Sequence, residues 1–386
     1  MRDDTAAITV KVIERIDAVS ADDWDACVGS DHPFVRHGFL HALEESGSVS
    51  AAKGWLPQHL VIEDEDGRIN AVCPLYLKSH SYGEYVFDWG WAEAYERAGG
   101  AYYPKLQSAV PFTPVTGPRL MVRDGVSEAH KDGLISGMLA LAERFGVSSL
   151  HVTFPDATDF ERLLAHGFLP RIGQQYHWTN HSYTDFDHFL GQLSSRKRKA
   201  IRKERRAVTE ADITHRVLRG NDISEADWGL FYRFYRDTSD RKWGSAYLTR
   251  GFFSMLQQAM GDQVVLFFAE RDGRTLAGAL NLIGNDTLYG RYWGSIETHN
   301  FLHFETCYYQ AIEFAITHGL ASVEAGAQGP HKIQRGYMPI PTYSAHWIKD
   351  DTFRTAVERF LAEEREAVVE DIQDLALGSP YKNGTA

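Results

Sequence analysis

Two short stretches in the C-terminal half of the chain collect side chains that can perform acid–base chemistry. The first, HNFLHFE, ends in a carboxylate where an apolar helical pattern begins, and the second, EAGAQGPHKIQR, follows a short apolar run. A carboxylate can accept a proton when burial raises its pKa, and lysine or arginine can hold an oxyanion or a phosphate. The polar residues of the two stretches are His299, His303, Glu305, Glu324, Gln328, His331, Lys332 and Arg335.

A structural explanation competes with function at some of these positions. The helix dipole alone favours a carboxylate such as Glu305 in a first helical turn. His331, Lys332 and Arg335 lie in a loop between glycines, which has little packing reason to collect three cationic or titratable groups. Function is therefore favoured in this loop, while the part of Glu305 stays open.

Metal and thiol chemistry are not expected. His299 and His303 have the spacing of two metal ligands, and His303 lies one helical turn before Cys307, but neither pair has a third partner fixed by spacing. The other cysteines, Cys27 and Cys73, form no redox or metal motif with Cys307, so reduced thiols are expected. No metal site and no tightly bound cofactor are predicted.

A basic block lies near the middle of the chain. The stretch SSRKRKAIRKERRAV has eight Lys or Arg and one Glu in the eleven residues 196–206. Its leading serines can cap a helix whose apolar stripe is thin. The two alternatives are a largely solvated helix and a phosphate-binding element, for which Arg198, Lys199 and Arg202 are the candidates.

Aromatic side chains crowd the stretch DWGWAEAYERAGGAYYPK in the first half. Aromatic residues are more often core than ligand-binding, but a run of them beside a Gly/Pro-rich loop also suits a substrate pocket. Asp88, Trp91, Tyr95 and Lys105 are the predicted substrate-binding residues here, together with His303, Gln328 and Arg335 of the second half.

The chain contains the same series of capping and turn motifs twice, which indicates an internal duplication. SADDW at 20 and SEADW at 224 are S-x-x-D capping boxes, and the stretches GFLHAL and GFFSML follow them. In each copy two extended runs then join through Asp-Gly, a hairpin signal, and a third strand is predicted in GEYVFDWG and in TLYGRYWG. The offset between the copies is 204 residues up to this strand and 169 at the closing HGFLP and RGYMP segments, so the first copy carries about 35 extra residues.

Each copy reads α–β–β–β–α–β–short α–β, which predicts an α/β fold with a mixed sheet and helices on both faces. The predicted domains are residues 1–183, with the aromatic insert, and residues 184–386, with the reaction centre. A chain of 386 residues with 44% apolar residues can fill two cores.

Net charge and hydropathy limit the kinds of partner that the protein is expected to bind. The formal charge is 40 − 52 = −12, and one basic block is too little for binding long duplex DNA. The N-terminus has no apolar segment of signal-peptide length, and no run reaches the roughly 20 apolar residues that span a bilayer. A cytoplasmic protein without a membrane span is expected, and its oligomeric state stays open.

The order of elements and the stretches LSSRKRKAIRKERR, VFDWGWAEAYERAGGAYYPKLQSAVPFTPVTGPRL and HFETCYYQAIEFAITHGL resemble the FemAB-like (peptidoglycan biosynthesis/recognition) subgroup of the GNAT acyltransferase superfamily. The resemblance runs nearly the full length and implies two tandem GNAT-like acyl-CoA N-acyltransferase domains. It also implies that the loops after the fourth and fifth strands of the second copy face one another across a cleft.

The activity implied by the resemblance is acyl transfer from acyl-CoA or aminoacyl-tRNA, as cosubstrate, to an amine of a small-molecule or cell-wall-precursor acceptor. The expected catalytic residues are Glu305, Glu324, His331 and Lys332, with either carboxylate as the base. A FemAB-type transferase that uses aminoacyl-tRNA, and so binds a tRNA acceptor end, is one alternative. A non-catalytic ligand-binding protein that kept the fold is the other.

Overall fold

The computed structural model describes residues 8–29, 32–243, 246–326 and 329–382. The chain divides into two compact units. Unit 1 comprises Met1–Gly173 and Thr342–Val368, and unit 2 comprises Gln174–Pro341 and Val369–Ala386.

Both units contain strands and helices. The strands are β1 (Val10–Ile13), β2 (Trp55–Pro57), β3 (His59–Glu63), β4 (Ile69–Cys73), β5 (Tyr76–Lys78), β6 (Lys105–Ser108), β7 (Met121–Val122), β8 (Ser149–Thr153), β9 (Leu169–Thr179), β10 (Thr214–Arg219), β11 (Val264–Arg271), β12 (Arg274–Gly284), β13 (Thr287–Ser295), β14 (Ser322–Glu324) and β15 (Met338–Ile348). The helices are α1 (Ala21–Val28), α2 (His37–Glu45), α3 (Trp89–Arg97), α4 (Ala129–Phe145), α5 (Ala157–Ala165), α6 (Phe186–Gln192), α7 (Ser195–Thr209), α8 (Glu225–Trp243), α9 (Arg250–Met260), α10 (Leu302–Phe304), α11 (Gln310–Thr317) and α12 (Asp351–Leu377). A π-helical turn at Glu305–Tyr309 joins α10 to α11.

Unit 1 contains two groups of strands. One has the order β1-β3-β4-β7, and the other has the order β8-β6-β5-β2. Within the second group β6 and β8 run parallel, while β5 and β2 continue it antiparallel. The main core of the unit packs α4 against these strands through Leu134, Ile135 and Met138, which are fully buried. Burial of such side chains is the main source of stability for the unit.

Unit 2 has one group of strands in the order β10-β11-β12-β13-β14-β9. The pair of β13 and β14 is parallel, and the pairs on either side of it are antiparallel, so the sheet is mixed as predicted. Its core cluster joins α11 to the strands through buried Ile312, Ala315 and Val323.

The local signals of the duplication are confirmed in both units. The Ser20 hydroxyl accepts a hydrogen bond from the Asp23 amide at 3.1 Å, and the Ser224 hydroxyl accepts one from the Asp227 amide at 3.2 Å. These bonds satisfy amides that the first turn of a helix leaves unpaired. The glycines of the two Asp-Gly turns have φ of 80° and 72°, the left-handed region that a tight hairpin requires.

The third strand predicted in the first copy is wrong. GEYVFDWG is not a strand: its last two residues begin α3, and the next strand along the chain is β6. The insert after Gly90 therefore supplies both a helix and the strand that lies beside β8. In the second copy TLYGRYWG is β13, as predicted.

The boundaries of the two compact units differ from the predicted division at residues 183 and 184. The difference comes from the closing strands, β9 and β15. Residues 177–179 of β9 pair with β14 in unit 2, and residues 344–348 of β15 pair with β8 in unit 1. Each closing strand thus leaves the half of the chain that encodes it. Sequence periodicity could not show this, because a strand has the same local pattern whichever partner it pairs with.

Candidate active site

A cleft opens in unit 2 where two parallel strands diverge. β14 pairs with β13 at Thr287–Tyr289, and over the described residues no further pair between these strands is formed. β13 continues to Ser295 along β12. A cavity of about 90 Å³ lies beside the part of β13 that follows Tyr289. The cavity is lined by Ala279, Leu280, Asn281, Gly290, Arg291, Tyr292, Trp293, His303, Cys307, Tyr308 and Ala325.

Arg291 lies at the point of divergence, at an irregularity in the sheet. Leu280 pairs with Tyr292 and Asn281 with Gly290, so Arg291 is the extra residue of a β-bulge. Its guanidinium is buried and donates to the Glu324 carboxylate at 2.7 Å. Sequence reasoning missed this residue, although a lone arginine in the aromatic stretch TLYGRYWG was a visible signal.

Glu324 ends β14 as the partner of Arg291. The imidazole of His177 is also near, with its Nε2 at 3.7 Å from the other carboxylate oxygen. The attraction between the buried carboxylate and the guanidinium offsets the cost of removing both charges from water. Glu324, predicted as a possible base, therefore lies beside the cleft in an ion pair.

Lys332 is the buried amine of the site. Its Nζ donates to the carbonyl oxygens of Ala325 at 2.6 Å and Gly326 at 2.8 Å, so it reaches the wall of the cleft at Ala325. Burial lowers the pKa of Lys332 to about 7, and the Arg291 guanidinium adds to the effect. A large fraction of the amine is therefore neutral near pH 7 and can accept a proton.

The two stretches singled out from the sequence contact one another. The hydroxyl of Tyr308 lies 3.2 Å from Nε2 of His331, and the Arg335 guanidinium stacks 3.5 Å above the ring of Phe304. His331 is exposed, whereas Arg335 is buried. Gln328, a predicted binding residue, lies outside the described residues.

Arg335 and Glu305 are each tied to α7. The Glu204 carboxylate accepts from Arg335 Nη2 at 2.8 Å and from Nε at 3.2 Å. The Glu305 carboxylate accepts from Arg205 Nη2 at 3.0 Å and from Gln310 at 2.8 Å. Glu204 and Arg205 thus attach the basic helix to the site. The composition of the helix did not reveal this role.

The three predicted phosphate-binding residues of α7 have different surroundings. Lys199 and Arg202 are exposed, and Arg198 is half-buried. Arg202 donates to Asp187 at 2.8 Å, and Arg198 donates to the Leu193 carbonyl oxygen at 3.4 Å. Exposed ion pairs of this kind are weak, so Arg202 remains available to a phosphate.

In unit 1 the predicted substrate-binding residues Asp88 and Lys105 are buried in a network. Lys105 Nζ donates to Ser81 at 2.8 Å, to Glu84 at 2.7 Å and to Asp88 at 2.5 Å. Burial opposes both charges, but Glu84 and Asp88 raise the pKa of Lys105, while Lys105 and His151 hold the pKa of Asp88 well below its usual range. Lys105 and Asp88 therefore form an ion pair inside a buried network.

The aromatic residues of the first-half insert are divided between core and surface. Trp91 is buried against His346, with ring centroids 5.0 Å apart, and Tyr95 packs on Phe353 at 4.7 Å. The exposed rings are instead those of Tyr82, Phe87 and Trp89.

Unit 1 also contains two parallel strands that diverge, β6 and β8. A following segment of the chain fills the gap between them. Fully buried Arg119 donates to the carbonyl oxygens of Val115 at 2.7 Å, Gly117 and Pro118 at 3.0 Å, and Thr153 at 3.1 Å. Gly117 bridges to Pro155 just beyond the end of β8. The segment after β6 therefore occupies the space that is open in unit 2.

Metal ligation has little support in the described residues. The group of three possible ligands found among them is Asp17, His41 and Glu45, where both carboxylates accept from the Arg15 guanidinium. His303 instead packs edge-on to Trp293, with ring centroids 5.3 Å apart.

The FemAB-like family model, described as peptidoglycan biosynthesis/recognition, matches residues 15–383, and the chain belongs to this family. The predicted FemAB-like recognition and the mixed α/β fold class are confirmed. A search of curated proteins finds no match. None of the helices in the described ranges combines the length and apolarity needed to cross a membrane.

Solved structures share the fold at low sequence identity. FemX has 14% identity and a TM-score of 0.53, covering 88% of this chain and 98% of its own. The C-terminal domain of a putative lysylphosphatidylglycerol synthetase from Agrobacterium fabrum has 9% identity and a TM-score of 0.55, covering 88% and 96%. L-PGS from Bacillus licheniformis has 11% identity and a TM-score of 0.51, covering 86% and 98%.

Proposed function

We propose that unit 2 transfers an acyl or aminoacyl group from an activated donor to an amine. The observation that carries the proposal is the open cleft beside β13, whose lining residue Ala325 accepts a hydrogen bond from the buried amine of Lys332. Acyl transfer to an amine needs a proton acceptor for the attacking ammonium and donors for the carbonyl oxygen of the tetrahedral intermediate. The cleft provides both.

The donor lies in the cleft beside β13, where hydrogen-bond donors at its carbonyl oxygen stabilise the tetrahedral intermediate. The new C–N bond forms as the C–S or C–O bond of the donor breaks. Neutral Lys332 accepts the proton that the amine loses. The Tyr308 hydroxyl lines the cleft and donates a proton to the leaving group; burial raises the pKa of Tyr308, so the hydroxyl is protonated at neutral pH.

Glu305 and Glu324 have positioning roles in this proposal. Each is already paired with a guanidinium, Glu305 with Arg205 and Glu324 with Arg291. Glu324 orients Arg291 at the divergence of the strands. Glu305 fixes the π-helical turn that carries Tyr308. His331 orients the Tyr308 hydroxyl.

The donor is an acyl-CoA or an aminoacyl-tRNA, both of which carry phosphates for the exposed cations of α7. One structural neighbour is the C-terminal domain of a putative lysylphosphatidylglycerol synthetase, which makes an aminoacyl group a natural candidate. The acceptor is an amine of a small molecule or a cell-wall precursor, and the family description makes the second class the first to test.

The test is a mass-spectrometric transfer assay with the full chain, a panel of acyl-CoAs and aminoacyl-tRNAs, and amine acceptors. Activity that ribonuclease removes identifies a tRNA donor. Lys332→Met is expected to lower the rate by about 100-fold or more, the usual contribution of a positioned base. Lys53→Met, at an exposed position in unit 1, is the matched control and should leave the rate unchanged.

The proposal is contradicted if no donor in the panel yields product, or if the Lys332→Met protein is as active as the Lys53→Met protein. Ligand binding without any transfer would instead support a binding protein with this fold.

A further inference from the structure

A second cavity of unit 2 lies next to the cleft. Its volume is about 250 Å³, and it is bounded by the end of β13, the loop after it and the C-terminal part of α8. Trp293 and His303 line both the cavity and the cleft, so these two side chains form the boundary between the two spaces. The other lining residues are Thr238, Arg241, Ser295, Glu297, Thr298, His299 and Leu302.

The cavity presents one group of each charge. Arg241 donates to the Ser295 carbonyl oxygen at 2.8 Å and pairs with Asp237, four residues earlier on α8, at 2.7 Å. An exposed pair of this type is weak, and a guanidinium can bind two acceptors at once, so Arg241 can bind a ligand carboxylate.

Glu297 supplies the negative charge. His299 lies 3.0 Å from its carboxylate, and Arg271 and Arg274 approach at 3.1 Å and 3.5 Å. The contacts with His299 and the two arginines lower the pKa of Glu297, which is therefore ionised at neutral pH. A carboxylate has about four lone-pair positions, so Glu297 can accept from a ligand ammonium in addition to these neighbours.

We propose that this cavity binds the α-amino-carboxylate head of the acceptor, with the carboxylate on Arg241 and the ammonium on Glu297. Resting on the proposed function, the reacting amine is then a second one, on a side chain that extends past Trp293 and His303 into the cleft. The acceptor class is a diamino acid with a free head group. A monoamine would place its only amine either at Glu297 or in the cleft, but not at both.

The test uses isothermal titration calorimetry of the full chain with L-lysine, Nα-acetyl-L-lysine and cadaverine. L-Lysine has both head-group charges, whereas the acetylated compound lacks the α-ammonium and cadaverine lacks the carboxylate. L-Lysine is expected to bind at least about tenfold more tightly than either, because each missing charge removes one charge-assisted interaction. Arg241→Gln should abolish the preference over cadaverine, and Glu297→Gln the preference over Nα-acetyl-L-lysine.

Matched controls come from an exposed helical pair in unit 1, Glu93 with Arg97 at 3.5 Å. Glu93→Gln and Arg97→Gln should keep the parent preferences. The inference is overturned if the three probes bind equally, if none binds, or if the Arg241 and Glu297 variants keep both preferences. Lys332→Met should bind L-lysine like the parent while losing transfer, so a failure of the proposed reaction is distinguishable from a failure of this site.

Discussion

Both units contain a parallel strand pair that diverges, but one gap is filled and the other is open. In unit 1, β6 and β8 part beyond Ser108 and Val152, and the segment that carries Arg119 occupies the space. In unit 2, β13 and β14 part beyond Tyr289 and Glu324, and a cleft remains. Both units thus contain a diverging parallel pair, and the extra residues of the first copy fill the gap in unit 1.

The two units also share a buried lysine with a lowered pKa. Burial brings the pKa of Lys78 in unit 1 to about 7, the same value as for Lys332 in unit 2. Lys78 stacks 3.6 Å above the Trp55 ring and faces Glu84 at 3.5 Å, inside a closed network. Lys332 reaches the wall of an open cleft. A shifted pKa therefore identifies a candidate base only when substrate can reach the group.

The largest effect is expected from removal of the residue that fills the gap in unit 1. Arg119→Ala removes the hydrogen-bond donor of four carbonyl oxygens and creates a cavity where the guanidinium was. The substitution should lower the free energy of unfolding by about 3–5 kcal/mol. Urea unfolding measures the change, with Arg97→Ala at an exposed position as the control. Equal stability of the two variants would show that Arg119 does not hold the closed gap together.

The two lysines predict a pH dependence of stability. Their folded pKa values of about 7 lie below the unfolded value of 10.5, so the unfolded chain binds more protons between these limits. Stability should therefore rise with pH from about 7 to 10.5, by up to about 1.4 kcal/mol per pH unit for each lysine. Below pH 7 both states are protonated and the cost of burial is fully present.

Urea unfolding at several pH values checks this slope, and Lys78→Met and Lys332→Met should each reduce it. The comparison is sharpened by the transfer assay, where only Lys332→Met should lose activity. An unchanged slope in both variants would refute the common burial effect.

The smallest effect concerns the capping boxes, where the two units are alike. Ser20→Ala and Ser224→Ala should each cost about 1 kcal/mol of unfolding free energy, because each leaves a first-turn amide without its acceptor. Ser50→Ala is the control, since that side chain makes no capping hydrogen bond. The prediction fails if the capping variants are as stable as the control, as judged by thermal or urea unfolding.

Local features of the chain were predictable because their physical causes span only a few residues. The capping boxes, the Asp-Gly turns and strand β13 follow from hydrogen bonds and φ preferences within a turn or a strand. The grouping of His331, Lys332 and Arg335 in one loop was equally visible. The prediction of a strand in GEYVFDWG was wrong: its aromatic and β-branched residues favour a strand, but in the structure its last residues begin α3.

The tertiary structure alone decided which charges are paired and which space is open. Glu305 meets Arg205 across 100 residues of chain, and Arg335 meets Glu204 across 131, so no local pattern indicated that the basic helix holds the site together. The partner of each closing strand and the filling of one gap by Arg119 likewise depend on packing between distant segments. Sequence periodicity reports which face of an element is buried, but not what lies against it.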